Sequence, residues 1–273
     1  MKMLLKDGKS KVLTFSYDDG VVQDKRLVEI FDCHGLKGTF NINSGAYRPG
    51  TTDADSGRMT LSSALALFKN SGHEVAVHGF KHLWPAKISS VELLQEILED
   101  RKAIEKDYGV IARGMAYAYG NYNAEVIDIL HHCGIVYSRT TKSTHSFSFP
   151  ENWLELHPTC HHKDNQLMQL AERFVNTFPK SKYPEMFYVW GHSFEFDNDN
   201  NWDVMEKFAQ YISGHEHIWY ATNIEIYDYV SAYNRLQVSV DEKLVHNPSA
   251  IDLWVNLNDE AHCIKAGETL NLK

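Results

Sequence analysis

Val12-Leu13-Thr14-Phe15-Ser16-Tyr17-Asp18-Asp19-Gly20 sets the pattern that decides the fold. An apolar, β-rich run closes on two carboxylates and a glycine. Val22–His34 follows with helical periodicity and stops at Gly35. The same alternation recurs along the chain. Strand-like runs fall at Gly38–Ile42, His73–His78, Ile111–Tyr119, Ile135–Thr140, Trp153–Thr159, Met186–His192 and His217–Ala221. Helical patterns fall at Leu61–Ser71, Val91–Tyr108, Ala124–Cys133, Asn165–Phe178, Trp202–Ser213 and Ile224–Asn234. Ser89 and Glu92 have capping-box spacing before the second of these. Strands alternating with helices predict an α/β chain, a distorted (β/α) barrel of about seven to eight parallel strands. After Arg235 the texture changes to short strand patterns at Gln237–Val240, Ile251–Asn256 and His262–Ala266. The reading is therefore a barrel over 1–234 and a small β appendage over 235–273, too short to bury a core of its own.

The chain has 273 residues, 27 basic and 36 acidic, for a formal charge of −9. With 43% hydrophobic and 23% charged residues it is of globular composition, and disorder and low complexity are excluded. An acidic surface repels phosphate, so binding nucleic acid by bulk charge is excluded as well. No apolar run approaches the roughly 18 residues of a membrane span, and the start of the chain lacks a secretory signal. The expected location is cytoplasmic. Four scattered cysteines (Cys33, Cys133, Cys160 and Cys263) read as reduced thiols. With 15 histidines present, a bound metal would have imidazole and carboxylate ligands.

In a parallel β/α fold, functional residues gather at the carboxyl ends of the strands. Those ends read Tyr17-Asp18-Asp19-Gly20, His78-Gly79-Phe80-Lys81-His82, Tyr117-Ala118-Tyr119-Gly120 and Trp190-Gly191-His192-Ser193. Two carboxylates and three histidines converge on one mouth. Asp18-Asp19 alone also reads as a turn. On a helical turn, the four-residue spacing of His78 and His82 puts both imidazoles on one side. With Asp19 they make a common hydrolytic zinc set, and affinity alone does not choose zinc over cobalt or nickel. Asp18 and His192 are left for proton transfer.

At these residues the sequence resembles the polysaccharide deacetylase family, carbohydrate esterase family 4, in order through roughly residues 10–222. Thr14–Gly20, His78–His82, Tyr117–Gly120 and Trp190–His192 are similar to four of its motifs. The resemblance implies Asp18 as catalytic base, Asp19, His78 and His82 as metal ligands, and His192 as general acid. It also implies that the Tyr119 backbone N–H binds the oxyanion and that Trp190 walls the acetyl pocket. Two of the family's elements are missing. The third motif's arginine and proline are replaced by Ala116 and Ala118. Arg113 falls toward the barrel's far end, so Arg139 is the better partner for Asp18. The Asp-Trp pair that orients the acid has no match beside Trp153, and His157, Glu155, His161 or His162 are the substitutes considered. Trp190 stands where leucine is usual, which narrows or reshapes the acyl pocket.

The implied activity is metal-dependent removal of N- or O-linked acetyl groups from a sugar, oligosaccharide or polysaccharide, with one divalent metal, zinc first and cobalt or nickel next. Two other readings stay open: hydrolysis of a small cyclic amide on the same fold, or carbohydrate binding by a chain that has lost catalysis, with rings such as Trp153 stacking on sugar. No nucleic-acid or membrane partner is expected, and the oligomeric state is open.

Overall fold

The structure, a computed structural model, describes residues 1–47, 50, 52–177 and 184–271. In chain order the elements begin with β1 Lys2–Leu4, β2 Lys11–Asp18, α1 Asp24–Cys33, β3 Gly38–Ile42, α2 Asp53–Ser56, α3 Leu61–Phe68 and β4 Glu74–Val77. They continue with α4 Ser90–Tyr108, β5 Gly114–Ala116, α5 Ala124–His132, β6 Tyr137–Arg139, β7 Cys160–His161, α6 Leu167–Asn176, β8 Glu185–Gly191 and α7 Phe194–Asn198. The last are α8 Trp202–Ile212, β9 Ile218–Tyr220, α9 Asn223–Tyr233, β10 Gln237–Val238, β11 Leu244–His246, β12 Leu253–Leu257, β13 Glu260–Ile264 and β14 Thr269–Asn271. The last residue of the expected 165–178 helix and the last two of the appendage lie outside the described residues. No helix among the described residues is long and apolar enough to cross a membrane.

The main sheet is parallel and runs β6-β5-β4-β3-β2-β8-β7, with β9 also paired to β2. Every residue of β2 is buried, as its continuous apolar run requires in a two-sided parallel sheet. One edge of β2 pairs with β8 over its length; β3 pairs beside Phe15–Asp18 and β9 beside Lys11–Leu13. The curve closes through a parallel bridge from Arg139 to Leu156, giving a distorted barrel. Aromatic rings fill the space between sheet and helices: Phe15 lies 4.5 Å from Phe31 and 6.0 Å from Phe208. Each such side chain contributes about 1.5–3 kcal/mol by leaving water.

Two strand expectations shrink. Of Ile111–Tyr119, only Gly114–Ala116 is strand, because Ala118–Gly120 turns over with Tyr119 at φ 59°. Trp153–Thr159 is not a strand. Asn152 accepts from the Leu154 N–H and starts a tight turn over Trp153–Glu155, and Pro158 has no N–H for a ladder. Pairing is reduced to Leu156 and the two-residue β7.

The C-terminal strands form two small antiparallel sheets, β10-β11-β14 and β1-β12-β13. The second includes the first strand of the chain, so residues 2–4 pack with the appendage. The Tyr229 hydroxyl ties this sheet to α9 by donating to the Leu4 carbonyl and accepting from the Trp254 N–H.

Candidate active site

At the end of β2 the backbone enters left-handed conformations, φ 83° at Asp19 and 62° at Gly20. The turn lets both carboxylates reach the same mouth. Asp19 N–H bonds the Asn41 carbonyl at 2.9 Å, and the Asn41 amide donates to Asp18 Oδ1 at 2.8 Å. Arg139 donates to the other oxygen of Asp18, and both side chains are buried. Burial alone would raise the Asp18 carboxyl. The charges of Arg139, His78 and His192, with the Asn41 bond, outweigh it and hold Asp18 below the ordinary carboxylate range.

His78 and His82 are not on a helix. Gly79 at φ 86° and His82 at φ 59° fold the segment into a loop that returns His82 beside His78, with rings 4.8 Å apart. Asp19 Oδ1 lies 3.6 Å from His82 Nε2 and 4.0 Å from His78 Nε2, and the three donor atoms lie within 4.8 Å of one another. The His78 Nδ1–H donates to the Ala116 carbonyl at 2.9 Å, which turns Nε2 toward two carboxylates. Burial and the neighbouring His78 push His82 down to about 4, so that ring is neutral. Two imidazoles converging on a carboxylate fit a divalent transition metal with positions left open. Asp100, itself buried, braces the loop by accepting from the His78 N–H at 2.9 Å and the Ser44 N–H at 2.8 Å.

His192 stands across the mouth, its Nε2 3.8 Å from Asp18 Oδ2. Burial would lower its pKa; contact with Glu195 and the charges of Asp18 and Asp19 raise it above the ordinary histidine value. Trp190 lies beneath the Arg139 guanidinium at 4.2 Å, with its centroid 5.9 Å from that of His192. Tyr119 rims the mouth, its exposed ring against His82 at 4.4 Å and stacked on Trp84 at 4.0 Å.

Trp153 does not join this group. Its ring packs edge-on against Tyr227 of α9 at 5.3 Å, in the cluster beneath the start of β6, because the turn at Trp153–Glu155 ends before the chain reaches the mouth. Arg113 likewise lies elsewhere, bonded to Asp228 of α9 at 2.7 Å. Of the substitutes for the absent aspartate, His157 is held by Thr140 and Glu155 by Tyr122. The group that faces His192 Nδ1, at 3.8 Å, is Glu195 of α7, a residue not among those the sequence singles out. Its one signal was its position three residues after His192, one helical turn on. His161 Nε2 and His162 Nε2 each lie 3.2 Å from the same Glu195 oxygen. Burial pushes His162 down to about 4, and these contacts hold Glu195 far below the carboxylate range despite its partial burial.

The sequence pattern of the polysaccharide deacetylase family matches residues 5–138. No curated protein matches the chain. A protein provisionally described as a polysaccharide deacetylase from Mycobacterium smegmatis superposes with a TM-score of 0.57 at 18% identity, over 85% of this chain and 94% of that one. A pseudoenzyme of carbohydrate esterase family 4 from Bacillus anthracis gives 0.52 at 15%, over 81% and 66%. A Streptococcus pyogenes deacetylase in complex with acetate is 20% identical at a TM-score of 0.47, over 52% of this chain and 61% of its own. The first two likenesses carry the fold, and the segment matched by the family pattern carries Asp18, Asp19, His78 and His82. Just under half of the chain is similar to the polysaccharide deacetylase family, and that part holds four of the mouth residues.

Proposed function

We propose that this protein is a metal-dependent hydrolase that removes N- or O-linked acetyl groups from a carbohydrate. The observation that carries the reading is one mouth in which Asp18, braced by Arg139, lies 3.8 Å from His192 and 3.7 Å from His78 of the Asp19–His78–His82 donor set. A divalent metal held by those three residues, zinc in the simplest case, would supply Lewis-acid polarisation of the acyl carbonyl and acidify a water. Asp18 is the base: Arg139 and Asn41 hold it ionised and aimed, so it takes the proton of the attacking water. The Tyr119 N–H, on a sharp left-handed turn at the rim, is the donor assigned to the developing oxyanion. His192 gives its Nε2 proton to the departing amine or alcohol. Trp190 closes the acyl side, where acetyl or a smaller group fits.

The test is acetate release from acetylated chito-oligosaccharides and acetylated xylan by zinc- or cobalt-loaded protein, beside Asp18→Asn. Release that falls about 10²–10⁴-fold in the variant supports the reading. Sugar binding without release by the loaded protein would overturn it in favour of a binding protein. Turnover confined to small cyclic amides would move the substrate class.

A further inference from the structure

Behind His192, three imidazoles surround one carboxylate oxygen. The arrangement begins with β7, whose His161 pairs with Trp190 in the ladder, while the His162 N–H bonds the Trp190 carbonyl at 2.9 Å. His162 then lies flat against Gly191, where a Cβ would overlap its ring, between Tyr17 and Phe196 with centroids at 5.7 and 4.1 Å. Helix α7 turns back immediately after His192 and returns Glu195 to this pair. Glu195 Oε2 lies 3.2 Å from His161 Nε2, 3.2 Å from His162 Nε2 and 3.8 Å from His192 Nδ1, and 3.4 Å from the His192 N–H. Lys163 holds the opposite oxygen, Oε1, at 3.5 Å, and is itself anchored on Asp199 at 2.7 Å.

Two imidazoles and a carboxylate could in principle be a second cation site, since their donor atoms lie within 4.8 Å of one another. A backbone contact decides otherwise. The Lys163 N–H donates to His161 Nδ1 at 3.1 Å, so that nitrogen is bare and the neutral ring carries its proton on Nε2, aimed at Glu195. The His162 ring has no hydrogen-bond partner among the described residues, and its Nε2 faces the same oxygen at 3.2 Å. His161 thus turns an N–H toward Glu195, His162 lies against it, and the ammonium of Lys163 fixes the far end of the carboxylate.

We propose that Glu195, locked in place by His161, His162 and Lys163, is the positioning residue of His192: it holds the proton on Nδ1 and so keeps Nε2 as the nitrogen that serves the leaving group. This rests on the deacetylase reading for what His192 does, and on geometry alone for how His192 is held. The carboxylate comes from the helical turn after the histidine itself, so histidine and orienter move as one unit.

Leaving-group dependence tests the proposal. An alkyl ester or amide needs a proton to depart, whereas p-nitrophenolate leaves without one. Glu195→Gln, which keeps the shape, is expected to lower kcat about 10²-fold on acetylated chito-oligosaccharide while p-nitrophenyl acetate stays within about 3-fold. His161→Ala, at a partly exposed position, is expected to show the same selectivity with a smaller loss. Equal losses on both substrates, or none on either, would overturn the proposal. Nitrogen-15 imidazole NMR supplies a reading that needs no turnover. In wild type the neutral His192 ring should carry its proton on Nδ1, and in Glu195→Gln this preference should be lost. An unchanged tautomer would sink the inference even if deacetylation is real; a changed tautomer in a protein that hydrolyses nothing would sink only the deacetylase reading.

Discussion

Arg139 and Asp18 meet 121 positions apart in sequence with both side chains withdrawn from solvent, at 0% and 3% exposure. Removing one partner leaves the other as an uncompensated buried charge. Arg139→Gln is expected to lower unfolding free energy by about 3–5 kcal/mol in urea titration. Because Arg139 lowers the Asp18 pKa, the variant's remaining activity should show an acidic limb moved to higher pH. A limb that stays in place would remove Arg139 from the base's machinery.

Metal content checks the donor set directly. Wild type loaded with zinc and dialysed should hold one equivalent by elemental analysis, and the double variant His78→Ala, His82→Ala should hold none while keeping its far-UV circular dichroism. Retention of the metal in a folded double variant would place the site elsewhere.

The proposed role of Trp190 as the wall of the acyl side, with its ring 4.2 Å from the Arg139 guanidinium, can be tested by size. Trp190→Leu is expected to raise the butyryl-to-acetyl ratio of kcat/KM by about 10-fold or more on aryl esters. An unaltered ratio would mean that another side chain bounds the acyl group.

A pH effect on stability is expected far from the mouth. Glu74, fully buried at the start of β4, accepts from Tyr137, Thr39 and the Ile224 N–H. Burial nonetheless raises its pKa from 4.5 to about 7. Between those values the folded state holds a proton that the unfolded state has lost. Its contribution is therefore complete below pH 4.5 and is lost as pH rises through about 7. Thermal unfolding should show Glu74→Gln flattening this decline between pH 5 and 8. A wild type whose Tm does not fall across that window would refute the assignment.

The barrel was legible because β2, β3, β4 and β8 are buried, largely apolar runs separated by helical patterns, and a parallel sheet buried on both faces leaves that imprint. Where pairing is held by a few bonds, as at Leu156 and β7, the sequence carries turn chemistry and a proline in place of a strand pattern, and the boundary was misplaced. Among the mouth residues, Asp18, Asp19, His78, His82 and His192 each end or follow a strand, and position alone gathers them. Arg139 was found because it ends β6. Trp153 was misplaced along with its strand. Glu195 was hidden because it reaches the mouth by a helical reversal inside an acidic stretch that reads as solvent-facing.

The pairing of β1 with β12, which matches Lys2 to Asn256, has a consequence for how the molecule is made. β1 leaves the ribosome about 250 residues before its partner β12. At about 5–20 residues per second it stays uncovered for roughly 12–50 s. Over that interval Met3 and Leu5, both destined for burial, are exposed next to a barrel whose own last strand is also still to come. That edge of the fold is thus open until β12 has been made, and chaperone dependence should concentrate there.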